Sequence, residues 1–127
     1  MPTPFAPLLN DILVNLPSAA RAAGGNLTFS TNQVTYIAMD TSVTAFTGGT
    51  GPTIQFTVDR LGADGVWYNV YSSTPVGSPA VASIDMGPGF TTASGVQHAV
   101  FTTQGRFSWV YTGSPTSITF SATLLGR

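Results

Sequence analysis

The chain contains few charged residues, and lysine and glutamate are absent. Aspartate and arginine together make up 7% of the 127 residues and leave a net charge of −1, whereas about 25% charged residues is usual in a soluble domain. Without clustered basic residues the chain is a poor match to the phosphates of nucleic acid, so we expect no nucleic-acid partner. Two explanations of the scarcity stay open: a compositional bias of the genome, or a surface that is mostly covered in an assembly.

Cysteine is also absent, which excludes disulfides and thiolate zinc sites. No apolar run has the length that a bilayer-spanning segment needs, so we expect no membrane partner. The first residues lack the basic start of a signal peptide, and Asn10, Asp11 and Asn15 interrupt their apolar segment. We therefore expect that these residues are not a cleaved leader.

Residues that carry catalysis or bind metals are scarce. The single histidine, His98, falls within a predicted strand, and no serine lies in a nucleophile elbow. Asp64 fits a turn, Asp59 has Arg60 as its neighbour, and the aspartates lack the spacing of a calcium loop. We expect no catalytic residue, no metal site and no cofactor, and therefore no enzyme.

The chain is rich in segments where apolar and polar residues alternate, most clearly in residues 106–127. The apolar positions there are Phe107, Trp109 and Tyr111 and, after a Gly-Ser-Pro-Thr loop, Ile118, Phe120, Ala122 and Leu124. Successive side chains leave a strand on opposite faces, so this period predicts two half-buried strands. The four-residue loop predicts that they form a hairpin in which Trp109 pairs with Phe120.

A second hairpin is predicted over residues 53–73. Its inward positions would be Ile54, Phe56 and Val58 on one strand and Val66, Tyr68 and Val70 on the other. Matching these sets places Gly62 opposite Val66 and leaves Ala-Asp-Gly as a three-residue loop, with Gly65 at the position that needs a positive φ. Leu61 and Trp67 then meet on the opposite face, which is a candidate contact surface.

About eight short strands separated by Gly- and Pro-rich turns indicate an all-β fold, an antiparallel two-sheet β-sandwich over residues 26–127. The sequence leaves open whether it is a jelly roll or Ig-like.

Residues 1–25 differ from the rest and predict an N-terminal arm. Three prolines favour an extended start, and Leu9, Ile12, Leu13 and Leu16 follow helical spacing up to Pro17. A second short helical turn is expected over residues 19–23. The arm would either pack under the sandwich or reach a neighbouring subunit. The candidate assembly contacts are Pro4, Phe5, Leu9, Ile12, Leu13, Leu16, Leu61 and Trp67.

Two stretches resemble a known class of proteins. The hairpin FTVDRLGADGVWYNV (residues 56–70) and the ending FSWVYTGSPTSITFSATLLGR (residues 107–127) are similar to small β-sandwich virion proteins of tailed bacteriophages, particularly those that infect actinobacteria. The resemblance implies a structural role in the virion without implying any functional residue. Low-charge, proline-led N-terminal arms suit that class.

The resemblance implies a structural role without separating head from tail. Our first hypothesis is a capsid decoration or minor capsid protein, located on the virion. Its partners would be further copies of itself, as a homo-oligomer, and other virion proteins such as the major capsid protein. Two alternatives stay open: a tail-tube or tail-tip component, and a carbohydrate- or receptor-binding module. Buried Trp67 and Trp109 would favour the structural role, whereas a solvent-facing aromatic platform would favour sugar binding.

Overall fold

A computed structural model describes residues 11–127, which form nine strands in two sheets. The strands are β1 (Asp11–Arg21), β2 (Gly25–Ser30), β3 (Ile37–Thr47), β4 (Thr53–Leu61), β5 (Trp67–Ser72), β6 (Ala80–Gly87), β7 (Val96–His98), β8 (Gln104–Thr112) and β9 (Ser117–Gly126). The five-stranded sheet has the order β1-β9-β3-β6-β7, and the four-stranded sheet has the order β2-β8-β4-β5. All neighbours are antiparallel except β6 and β7. The predicted antiparallel β-sandwich is confirmed.

The strand pairs are nested along the chain. Strand β1 pairs with β9, β2 with β8, β3 with β6 and β4 with β5, so the chain runs as one long folded ribbon wrapped into two sheets. That wrapping, two Greek keys shared by two sheets, is the jelly-roll arrangement. The structure therefore resolves the choice between a jelly roll and an Ig-like sandwich in favour of the jelly roll.

The core lies between the sheets and is built from aromatic rings. Phe56 stacks on Phe107 with ring centroids 5.8 Å apart, and Phe120 of the opposite sheet meets Phe56 at 5.5 Å and Trp109 at 5.8 Å. Each buried ring stabilises the fold by roughly 1.5–3 kcal/mol. The alternating residues of β4, β8 and β9 are buried as the sequence predicted.

The predicted C-terminal hairpin is wrong. Strands β8 and β9 lie in different sheets, so Trp109 faces Phe120 across the core and does not pair with it along a ladder. The loop between them crosses from one sheet to the other, with Gly113 and Ser114 both at positive φ. Alternation identifies the buried face of each strand correctly, but it does not identify the neighbouring strand.

The β4–β5 hairpin is confirmed at its turn. The Gly62 N–H donates to the Val66 carbonyl at 2.7 Å, Leu61 pairs with Trp67, and Gly65 has φ 80°. A β-bulge after Val58 shifts the register. Beyond the bulge the hairpin extends past the core, and Tyr68, which was predicted to point inward, is 46% exposed.

The helix predicted from Leu9 to Leu16 and the turn after it are wrong within the described residues. Residues 11–21 form β1, an edge strand paired with β9, so the part of the predicted arm from Asp11 onward lies in the sandwich. Two bulges, at Leu13 and at the segment containing Pro17, each insert an extra residue. Proline is tolerated at such an edge bulge because its missing N–H leaves no ladder partner unpaired.

Candidate assembly surface

The candidate contacts predicted in the arm divide into two groups. Pro4, Phe5 and Leu9 lie outside the described residues. Ile12, opposite Leu125 on the outer face of the five-stranded sheet, is 67% exposed. Leu13 and Leu16 pack against the core. The N-terminal end of β1 therefore has one exposed apolar side chain among the predicted contacts, Ile12.

Leu61 and Trp67 lie near the tip of the β4–β5 hairpin and are half-buried. The guanidinium of Arg106 lies 4.6 Å from the centroid of the Trp67 ring. Arg106 also forms an ion pair with Asp59 at 2.9 Å, and the Asn69 amide donates to that carboxylate at 3.2 Å. The Trp67 ring is thus partly covered by the protein's own arginine, a geometry of cation–π contact.

These two groups do not form one surface. Strand β1 is an edge of the five-stranded sheet, whereas β5 is the edge of the four-stranded sheet on the other side of the sandwich. Ile12 and Trp67 are therefore contact candidates on different sheets. The sequence placed both sets among the candidate contacts but carried no information about their separation.

The C-terminal end of β1 is fastened by its own Arg21 and by two side chains of β8. Arg21 lies over the Phe120 ring at 4.5 Å and donates to the carbonyls of Phe120 and Pro17 at 2.6 and 2.7 Å. The Trp109 Nε1–H donates to the Ala23 carbonyl at 3.1 Å. The Tyr111 hydroxyl donates to the Arg21 carbonyl at 3.0 Å, and burial raises the pKa of Tyr111 although Arg21 lowers it.

The opposite edge of the same sheet is open, and sequence analysis did not single it out. Strand β7 pairs with β6 only at residues 85–87, and within residues 11–127 no strand pairs with the outer side of Ala80–Ser83. Val81 is 79% exposed. A signal was present in the sequence, because residues 65–84 contain no charged side chain and natural edge strands are usually protected by charges.

Three of the four arginines donate hydrogen bonds to groups of the same chain. Besides Arg21 and Arg106, Arg60 donates to the Val100 carbonyl at 2.9 Å. The outer face of the five-stranded sheet carries hydroxyl groups, including those of Ser42, Ser121 and Thr123, around Asp40. On this face the Ser83 hydroxyl donates to the Asp40 carboxylate at 2.7 Å.

A cleft of about 450 Å³ lies at one end of the five-stranded sheet. The rings of Tyr36 and Phe90 line it and pack against each other with centroids 5.5 Å apart, and Asp85 and Arg127 also line it. A Cβ on Gly87 would come within 2.1 Å of the Tyr36 ring, so glycine is required there for the ring to lie against the strand. This is an apolar cleft with a polar rim, the usual composition of a small-ligand site.

Titratable groups do not converge within the part of the chain that the structure describes. Residues 11–127 contain no group of three or more histidine, cysteine, aspartate or glutamate side chains that could hold a metal ion. His98 lies exposed on the short strand β7. Over the same residues no helix is long and apolar enough to cross a bilayer.

Comparison with protein-family models, with curated proteins and with solved structures found no match to this chain.

Proposed function

We propose that this protein is a structural component of a tailed-phage virion, of the capsid decoration or minor capsid type, which stiffens the shell by contacts with its neighbours. The observation that carries the proposal is the open, uncharged edge of β6. A protein that acts alone in solution risks aggregation through such an edge. In an assembly the same edge is a contact surface.

Three further observations support this role. The resemblance of residues 56–70 and 107–127 to phage virion proteins points to the class. Jelly rolls occur in viral capsid domains, although the fold alone does not determine function. Three of the four arginines contact the protein's own carbonyls or carboxylate, and the net charge of the chain is only −1, which suits close packing.

In this proposal residues 1–10 are the tether to the major capsid protein, with Phe5 and Leu9 as its apolar anchors. Residues 11–127 are the body that contacts further copies. Deletion of residues 1–10 tests the tether without removing any part of β1, because β1 begins at Asp11. We expect the deleted protein to fold and to lose binding to purified shells; unfolding would contradict the tether.

The test of the function is the copy number of this protein in purified virions, measured by quantitative mass spectrometry against the major shell protein. A number comparable with that of the shell protein supports a capsid-lattice or tail-tube location, and electron microscopy of the particles separates the two. A few copies would point to the tail tip. Absence from the particles would overturn the structural proposal.

A second candidate function, carbohydrate binding, is favoured by the cleft that Tyr36 and Phe90 line. Two aromatic rings offer an apolar surface to a sugar ring, and Asp85 and Arg127 offer hydrogen bonds to its hydroxyls. Jelly rolls also occur in lectin domains. The test is a glycan array with the native protein, followed by the Tyr36→Ala variant. Binding that this variant abolishes supports a sugar site, and no binding rejects it.

A further inference from the structure

The outer edge of β6 has a defined set of hydrogen-bonding groups. The Asp85 N–H donates outward to the Gly95 carbonyl of the segment leading into β7 at 3.0 Å. Hydrogen-bonding direction alternates along a strand, and the β3–β6 register contains no bulge. The N–H groups of Ser83 and Val81 therefore also point outward, away from β3.

Three carbonyls complete this edge. The Val81 and Ser83 carbonyls each point to the same side as the N–H of the same residue. The Pro79 carbonyl lies opposite the Ala80 N–H across a trans peptide and so points outward as well. The edge therefore offers two donors and three acceptors.

We infer that this edge pairs with the same edge of a second copy, antiparallel, about a two-fold axis at Val81. In this register Val81 of each copy donates to Val81 of the other, and each Ser83 N–H donates to the second copy's Pro79 carbonyl. Proline has no N–H to give in return, so the Ser83 carbonyl accepts no bond from the second copy. All the N–H groups offered by both edges are used, in four hydrogen bonds. This inference rests on the proposed function, since it names a partner that the structural role requires.

The side chains fit the same register. Val81 meets Val81 of the second copy on the outer face, which covers a side chain that is 79% exposed. Ala80 meets Ala82 of the second copy on the other face, and both are small. A two-fold axis is the commonest way in which identical chains associate, because one surface then serves both partners. A shift by one residue would place Val81 opposite Ala82 of the second copy, whose N–H and carbonyl point toward β3, so that register is excluded.

Strand pairing of this length buries less than the roughly 1,000 Å² expected of a stable interface. We therefore expect weak association in dilute solution, strengthened when other contacts hold the copies together. In a shell, the two five-stranded sheets would join into one sheet across the two-fold axis.

The experiment uses the absence of cysteine in the chain. In the Val81→Cys variant two sulfurs would meet across the axis, since hydrogen-bonded antiparallel pairs have Cα atoms about 5.5 Å apart, within the range that a disulfide spans. The matched control is Val110→Cys, because Val110 is 50% exposed on the outer face of the other sheet, away from its edges. Under mild oxidation we expect at least about tenfold more covalent dimer from Val81→Cys than from Val110→Cys.

A second measurement does not depend on disulfide geometry. Sedimentation velocity of the native protein over a wide concentration range should show reversible dimers, which Val81→Lys removes and Val110→Lys retains. Equal crosslinking of the two cysteine variants together with a native protein that stays monomeric would overturn the pairing. That result would not contradict the proposed function, which the copy number in virions tests separately. Conversely, a protein that dimerises but is absent from virions would support the pairing and reject the proposed function.

Discussion

The two edges of the five-stranded sheet are built in opposite ways. Strand β1 carries two bulges and Pro17, and Arg21, Trp109 and Tyr111 fasten its C-terminal end. Strand β6 carries none of these devices from Ala80 to Ser83, and its apolar Val81 faces solvent. Natural sheets block the edges that must not pair. The contrast is therefore between an edge that is bulged and fastened at its C-terminal end and an edge that, within residues 11–127, has no paired strand from Ala80 to Ser83.

The largest loss of stability is expected at Trp109, whose ring lies in the core and whose Nε1–H donates to Ala23 just after β1. Trp109→Ala removes a ring that packs on Phe107 and Phe120 and should lower the free energy of unfolding by roughly 3–5 kcal/mol. Trp109→Phe keeps most of the packing but loses the hydrogen bond to Ala23, at a cost of about 1 kcal/mol. Urea denaturation followed by far-UV circular dichroism measures both. Equal losses in the two variants would mean that the hydrogen bond, and not the ring volume, dominates.

A smaller loss is expected at Arg21. Arg21→Ala leaves the Pro17 and Phe120 carbonyls without their charged donor, and hydrogen bonds to charged groups contribute about 1.5–3 kcal/mol. Hydrogen exchange should then speed up at the amides of β1 and remain unchanged at β6. Arg21→Lys is the control, because a lysine cannot reproduce the guanidinium fork. Full recovery of stability by lysine would show that charge alone holds the edge.

At the open edge, a substitution should change association and leave folding nearly unaffected. Val81→Lys adds a charge at an exposed position and should alter the free energy of unfolding by less than about 0.5 kcal/mol. Thermal unfolding of Val81→Lys, measured together with the control variant Val110→Lys, checks this value. A loss well above that figure would mean that the β6 edge contributes to the fold itself, and the contrast between the two edges would fail.

The smallest effect concerns the β4–β5 turn, which belongs to neither edge. Hydrogen bonds from the Tyr68 hydroxyl and then the Val66 N–H hold the pKa of Asp64 below its usual 3.8. Because the pKa is lowered in the folded state, the Asp64 carboxylate stabilises the turn at pH values above its usual pKa. This contribution is lost as the pH falls through the folded-state pKa. Tyr68→Phe should raise the pKa of Asp64 toward 3.8, as measured by NMR titration of its carboxyl carbon. An unchanged pKa would assign the effect to the backbone donor.

Side-chain alternation predicted the buried faces of β4, β8 and β9 and the turn at Gly65, because these depend on neighbours along the chain. It could not assign β8 and β9 to different sheets, since the same alternation fits a hairpin and a crossing between sheets. The helix predicted around Ile12 and Leu16 failed for a physical reason. Each bulge in β1 adds one residue, so the apolar positions depart from period two and imitate helical spacing.

The candidate site was predicted less well than the fold. Leu61 and Trp67 were placed correctly beside each other, but no sequence pattern indicated that Arg106, far along the chain, covers the Trp67 ring. The open edge of β6 depends on where β7 stops, which is a property of the tertiary structure. The charge-free run over residues 65–84 was the available hint.

The nested strand order also constrains the timing of folding during synthesis. Strand β9 lies between β1 and β3 in the five-stranded sheet, yet it follows every other strand along the chain. Until β9 has been synthesised, no strand connects β1 to β3 in the sheet. Pairing between strands so far apart along the chain is slow to form. We expect β6, which is supported by β3, to become rigid only after β9 has inserted. A nascent chain would then be unable to use its open edge, so association would be confined to finished molecules.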